Sequence, residues 1–229
     1  MAGTAHKISP SLMCANFLDL KTDLDVFVEL GIELIHIDIM DGHYVHNFTL
    51  GMGICETVAA YTNIPLDIHL MIDNPNAFVE DFAGFRDSIV TFHPEVTDNP
   101  FDTLETIKKR GAKAGIALKP DQPIEHYGEL LSQIDVLCVM TVVPGFAGQK
   151  LVPGGIETLR TTAEFIRNHN FQLEIMVDGN VSWENLPKMR DAGATIFVAG
   201  TSSIFEKGGA LDQNIRRFRS ILEKERNPE

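Results

Sequence analysis

At 229 residues with 44% hydrophobic content, the chain is long enough to bury a sizeable core, and α/β barrels often reach this length undivided. Lysine and arginine total 19 against 32 aspartates and glutamates, and the resulting net charge of −13 argues against nucleic acid or an anionic membrane surface as the main partner. Cys14, Cys55 and Cys138 are odd in number and form no C-x-x-C pair, which reads as reduced thiols in a cytoplasmic protein. No apolar run approaches the ~20 residues of a membrane helix, and Met1 to Lys7 lacks the apolar stretch of a signal peptide.

Short β-rich apolar runs alternate with helical patterns from end to end. Lys7–Leu12 reads as the first strand, followed by a helical pattern from Asn16 to Leu30. That pattern sets Leu20, Leu24, Phe27 and Val28 on one stripe, with Gly31 as its stop. Further strands are expected at Leu34–Ile39, Leu66–Met71 and Ser88–Phe92. A helix over Phe101–Arg110 stops at Gly111, and strands at Ala114–Leu118 and Val136–Thr141 come next. After a strand at Leu173–Val177, a helix over Trp183–Ala192 stops at Gly193; the last strand is Thr195–Ala199 and the last helix Asp212–Lys224. Pro100, Pro123 and Pro153 sit where helices would begin, a position that tolerates a missing N–H. Eight strands alternating with helices imply a parallel sheet, and this length favours a closed (β/α)8 TIM barrel formed by one domain over residues 1–229, with a doubly wound open sheet as the runner-up.

The segment His36-Ile37-Asp38-Ile39-Met40 carries the clearest chemical signal. Alternation along a strand places His36, Asp38 and Met40 on one face and Ile35, Ile37 and Ile39 on the other. A carboxylate on a buried face is costly without a partner. His69 and Asp178 fall at corresponding places on the third and seventh strands. One such residue is more often a hydrogen-bonded core histidine or a capping aspartate, whereas four in barrel register point to one divalent ion, Zn²⁺, Fe²⁺, Mn²⁺ or Co²⁺.

Glycine turns follow the last three strands: Gly145-Phe146-Ala147-Gly148, Gly179-Asn180 and Gly200-Thr201-Ser202. They hold no Lys or Arg, yet backbone N–H groups in such turns bind anions, and loops near the seventh and eighth strands are a recurrent phosphate position in barrels. Met40, Met71 and Met140 lie at mouth ends of strands, either as core filler or as a polarizable wall. His43, His46 and Asn47 read as solvated loop residues, His93-Pro94-Glu95 as a supporting or loop-ordering element, and Trp183 as helix packing.

Taken together, Ile8-Ser9-Pro10-Ser11-Leu12, His36 to His43, Asp67 to Met71, His93-Pro94-Glu95, Met140 to Phe146, Val177-Asp178-Gly179 and Ala199 to Ser202 resemble the ribulose-phosphate 3-epimerase family, in family order and over nearly the whole chain. The resemblance implies His36, Asp38, His69 and Asp178 as metal ligands, Asp38 and Asp178 as the acid/base pair, Ser11 and His69 at the substrate, and the glycine turns at its phosphate. Ala147, Asn180 and His46 depart from the pentose-phosphate pattern, and Pro-Gly-Phe-Ala-Gly-Gln, Ser-Leu-Met-Cys and Gly-Thr-Ser are more similar to the D-allulose-6-phosphate 3-epimerase branch. The implied reaction is inversion at C3 of a ketose phosphate, either D-ribulose 5-phosphate or D-allulose 6-phosphate, by a homo-oligomeric enzyme. A phosphate-binding decarboxylase or lyase, or a silent sugar-phosphate-binding barrel, are the alternatives; the former needs a lysine at the mouth, where only Lys119 is found.

Overall fold

A computed structural model describes residues 6–224. Eight strands form one parallel sheet: β1 (Lys7–Pro10), β2 (Ile35–Met40), β3 (Leu66–Met71), β4 (Ile89–Phe92), β5 (Lys113–Leu118), β6 (Val136–Met140), β7 (Glu174–Asp178) and β8 (Ile196–Ala199). Each is followed by a helix: α1 (Leu20–Glu29), α2 (Met52–Tyr61), α3 (Val79–Phe82), α4 (Pro100–Lys109), α5 (Gly128–Leu131), α6 (Gly155–Asn168), α7 (Asn185–Ala192) and α8 (Leu211–Leu222). Parallel neighbours cannot be joined by a hairpin, so each crossover helix packs on the outside of the sheet. Strands pair with their sequence neighbours, and β1 pairs with β8. The remaining edge, between β1 and β2, closes through a parallel bridge of Ser11 with His36. The expected (β/α)8 barrel is the fold. No helix among the described residues is long and apolar enough to cross a membrane.

Strand alternation sorts the core into two compartments. Ile35, Ile37 and Ile39 of β2, with Ile68 and Leu70 of β3 and Val90 and Phe92 of β4, point outward into a continuous apolar layer against the helices, where Phe27 of α1 and Phe218 of α8 are also buried. The inward face is divided. On the β5 to β8 side it is apolar except for Asp178 at the end of β7, with Ala117, Val136, Cys138, Met140, Met176, Ile196 and Val198 in one cluster. On the β1 to β4 side it is polar: Ser9, His36, Asp38, Asp67, His69 and Thr91 are all buried there. Gly115 of β5 faces Thr91, and a Cβ at that position would lie 2.7 Å from the threonine hydroxyl. A glycine inside a strand marks this kind of close approach.

Boundaries differ from sequence expectation where a polar side chain or a proline competes for the backbone. The first helix starts at Leu20 rather than Asn16, because Asn16 Oδ1 accepts the Leu18 N–H in a local turn. The seventh starts at Asn185 rather than Trp183, with Ser182 Oγ accepting the Asn185 N–H. The first strand ends at Pro10, which has no N–H for the ladder, and the chain turns through a 3₁₀ segment, Leu12–Cys14. Beyond Pro123 the chain makes a 3₁₀ turn before the short α5. Gly31, Gly111 and Gly193 follow α1, α4 and α7 with positive φ, as the stop signals predicted.

Because the outward layer holds the barrel to its helices, Ile37→Ala, which removes a fully buried side chain, should cost about 2–5 kcal/mol. Urea unfolding measures this, and a loss below about 1 kcal/mol would show that the layer relaxes around the cavity.

Candidate functional site

The polar half of the barrel interior rises to a cluster at the C-terminal ends of β2, β3 and β7. One ligand-type atom from each of His36, Asp38, His69 and Asp178 lies within 4.8 Å of the others. His36 Nε2 is 3.2 Å from Asp38 Oδ1. His69 Nδ1 is 3.6 Å from both Asp38 Oδ1 and Asp178 Oδ2. Ser11 Oγ donates to the other Asp38 oxygen at 2.9 Å. The register explains the grouping: Asp38 sits directly beside His69 on the neighbouring strand, and Met40 beside Met71.

Beneath this cluster lies a residue the sequence reading did not single out. Asp67, fully buried, accepts at Oδ2 from Ser9 Oγ at 2.8 Å and from His36 Nδ1–H at 2.7 Å. That contact turns His36 Nε2 toward Asp38 Oδ1. Burial disfavours charge on His36, but Asp67 and Asp38 overcome it and hold its pKa well above the ordinary value. Burial likewise opposes charge on His69, and Asp178 and Asp38 raise its pKa. For Asp38 burial would raise the pKa, yet His36 and His69 hold it far below the usual carboxylate range.

The donor set fits a divalent ion. His69 Nδ1 is buried, has no hydrogen-bond partner, and faces two carboxylate oxygens beyond hydrogen-bond range. Two imidazole nitrogens and two carboxylates suit the borderline divalent metals, whose ligand distances of about 2.0–2.2 Å roughly match a cluster of this span.

Above the cluster, a cavity opens at the mouth of the barrel. Asp38 and Asp178 both line it, as do Ser11, Met40, Met71 and Met140. All three predicted turns reach its wall: Gly145, Phe146, Ala147 and Gly148; Gly179 and Asn180; Gly200, Thr201 and Ser202. His36 and His69 are fully buried and lie outside the wall, so His69 meets the cavity only through the two carboxylates. Gly179 has φ +112°, and a Cβ there would come within 2.7 Å of the Val142 side chain, so this turn admits no larger residue without a shift.

The uncharged turns are braced by carboxamides. Asn47 Nδ2 donates to Gly145 O at 2.8 Å, Gln149 Nε2 to Phe146 O at 2.9 Å, and Asn180 Nδ2 to Gln149 O at 2.7 Å. Asn180 itself takes a positive φ, 47°, which asparagine tolerates better than most residues. Asn47 is therefore a clasp between loops, whereas His43 and His46 are exposed, as expected of solvated residues. Trp183 does pack, edge-on to Phe218, and its indole N–H donates to Glu206. The sequence reading also missed Met13 and Cys14, which enter the cavity wall from the 3₁₀ turn after β1. Burial pushes the Cys14 thiol up to about 11, so it stays protonated.

A sequence model described as the Ribulose-phosphate 3 epimerase family matches residues 7–205. The chain is 37% identical over 203 residues to the ribulose-phosphate 3-epimerase of Escherichia coli K12, covering 88% of this chain and 90% of that protein. The Mycobacterium leprae ribulose-phosphate 3-epimerase is 34% identical over 222 residues, covering 92% and 98%. Solved structures share the fold at low identity. The thiamine phosphate pyrophosphorylase of Pyrococcus furiosus has a TM-score of 0.63 at 15% identity, with 96% of each chain covered. A tryptophan synthase alpha subunit from Legionella pneumophila has a TM-score of 0.62 at 14% identity, covering 95% of this chain and 93% of that one.

Two outcomes test the cluster. Asp67→Asn should weaken divalent-ion affinity by about 10–100-fold while the protein stays folded, since second-sphere partners of ligating histidines have effects of that size; unchanged affinity in a chelator competition would remove Asp67 from the site. Because His36 and His69 are held above their ordinary pKa without an ion, binding must displace protons, and affinity should rise with pH. Calorimetry in buffers of different ionisation enthalpy measures the released protons.

Proposed function

Because the chain belongs to the ribulose-phosphate 3-epimerase family, isomerases acting on carbohydrates, we propose that it inverts C3 of a ketose phosphate by a two-base mechanism centred on Asp38 and Asp178. The observation that carries this reading is the placement of both carboxylates in one cavity, from β2 and β7, with two buried imidazoles beside them. β1 and β8 lie between those two strands around the barrel, which suits carboxylates that must act on opposite faces of one planar intermediate.

One carboxylate takes the C3 proton and leaves a cis-enediolate; the other returns a proton to the opposite face. A divalent ion held by His36, Asp38, His69 and Asp178 would supply Lewis-acid stabilisation of the charge that develops on the sugar oxygens. Ser11, donating to Asp38 Oδ2, fixes that carboxylate for proton transfer. His36 and His69 set its proton affinity low in the resting site, and developing negative charge on the sugar raises it as the proton is needed. Met40, Met71 and Met140 give the intermediate an apolar wall that neither donates nor accepts protons. The turns of Gly145–Gly148, Gly179–Asn180 and Gly200–Ser202 hold the phosphate, so that remote binding energy positions the reacting carbon. A lysine-dependent decarboxylase or lyase is disfavoured, because Lys119 Nζ is paired with Glu95 at 2.9 Å and stands outside the cavity wall.

Asp38→Asn and Asp178→Asn should each cut turnover by at least about 10²-fold, the lower end of general acid–base effects, without unfolding the protein. Substantial turnover in either variant defeats the two-base scheme. In D₂O, deuterium should enter C3 of the product, and its absence there excludes exchange through a solvent-accessible base. The relatives' names point to ribulose phosphate, while Ala147 and Asn180 depart from the pentose-phosphate pattern, so kcat/KM on D-ribulose 5-phosphate against D-allulose 6-phosphate decides the sugar.

A further inference from the structure

The scheme above leaves unused a cluster on the β4–β5 side of the mouth. His93, which follows β4, is fully buried, and its Nε2 lies 3.0 Å from His69 Nε2. The Tyr44 ring packs against it with centroids 4.8 Å apart. Its other nitrogen, Nδ1, has no hydrogen-bond partner and faces Glu95 Oε1 at 3.8 Å. That same carboxylate oxygen accepts from Tyr44 OH at 2.8 Å and pairs with Lys119 Nζ at 2.9 Å.

Two ring nitrogens 3.0 Å apart form a hydrogen bond only when one carries the proton and the other a lone pair. His69 Nδ1 faces Asp38 and Asp178. To hold an ion there, Nδ1 has to offer its lone pair, so His69 Nε2 has to bear the N–H and His93 Nε2 has to accept it. The proton of neutral His93 then belongs on Nδ1, the nitrogen turned toward Glu95. The opposite tautomer would force His69 into the form with Nδ1–H, which ligates nothing. His93 is fully buried, which disfavours a charged ring, and a neutral imidazole keeps one lone pair.

We propose that Glu95 is a positioning residue: its carboxylate holds the His93 proton on Nδ1, which makes His93 a permanent acceptor for His69 Nε2–H and keeps the His69 Nδ1 lone pair directed at Asp38 and Asp178. Tyr44 and Lys119 fix the carboxylate in place. A negative charge 3.8 Å from Nδ1 attracts an N–H dipole and repels a lone pair, and a buried ring feels that difference more strongly than an exposed one. The consequence for ion binding rests on the metal reading given above, whereas the tautomer itself does not.

Nitrogen-15 NMR of the ion-free protein, with His93→Gln used to assign its signals, reads the tautomer directly through long-range couplings. In the wild-type protein His93 should carry its proton on Nδ1. Glu95→Gln keeps the size of the side chain and an acceptor for Tyr44 but loses the charge; it should shift His93 to a mixture of tautomers and weaken Mn²⁺ affinity by about 10-fold, read from free Mn²⁺ by electron paramagnetic resonance. A His93 proton on Nε2 in the wild-type protein overturns the proposal, as does a Glu95→Gln protein with unchanged tautomer and unchanged Mn²⁺ affinity. Should the wild-type protein bind no Mn²⁺, the metal reading falls, and the tautomer populations of the two proteins alone decide this one.

Discussion

The hydrogen bond from His36 Nδ1–H to Asp67 Oδ2 is the contact on which the site depends. Burying a carboxylate is costly unless partners replace the water it has lost; Asp67 has Ser9 and His36, both at Oδ2, while its Oδ1 has no hydrogen-bond partner. The imidazole so oriented meets Asp38, Asp38 is held in turn by Ser11, and His69 completes the set from the adjacent strand. Each member compensates the burial of the next. Loss of one partner would strand a charge inside the barrel, which is commonly more damaging than loss of the whole pair.

The barrel affords this polar column because stability is invested elsewhere. The β2 strand shows the division within six residues. Ile35, Ile37 and Ile39 join the outward layer that packs on the helices, whereas Asp38 and Met40 line the cavity and His36 stays buried behind them. Opposite them, the apolar inward face of β5 to β8 gives the cavity a stiff, close-packed side. The same scaffold is shared with proteins of other named activities at 14–15% identity, which fits the general rule that chemistry is placed on a fold rather than dictated by it.

How much of this was legible in the sequence depended on the range of the interaction. Alternation with a period of two is local, so the face shared by His36, Asp38 and Met40 could be read directly, and barrel register then aligned His69 and Asp178 with it. Asp67 carries the same signal, two residues before His69 on the same face, but alternation gives the face and not the depth. Its pairing with His36 appears only when β2 and β3 are set in register. Asn47 looked like a solvated loop residue because its partner, Gly145 O, lies 98 positions away. Helix starts shifted where Asn16 and Ser182 captured nearby N–H groups, a competition that stripe patterns do not record. For His93, burial and the contact with His69 are products of strand packing, and the short motif around it shows neither.

The seam between β1 and β2 has a further consequence. Other neighbouring strands are joined over two to six residue pairs, but this edge is fastened by one bridge, Ser11 to His36. Those two residues also grip Asp38 from either side. A molecule that bound the mouth through Asp38 would bear on the one loose stave of the barrel and would add resistance to melting, in proportion to the logarithm of its concentration above its dissociation constant. An emptied site would leave the molecule easiest to prise open at the place where its chemistry is done.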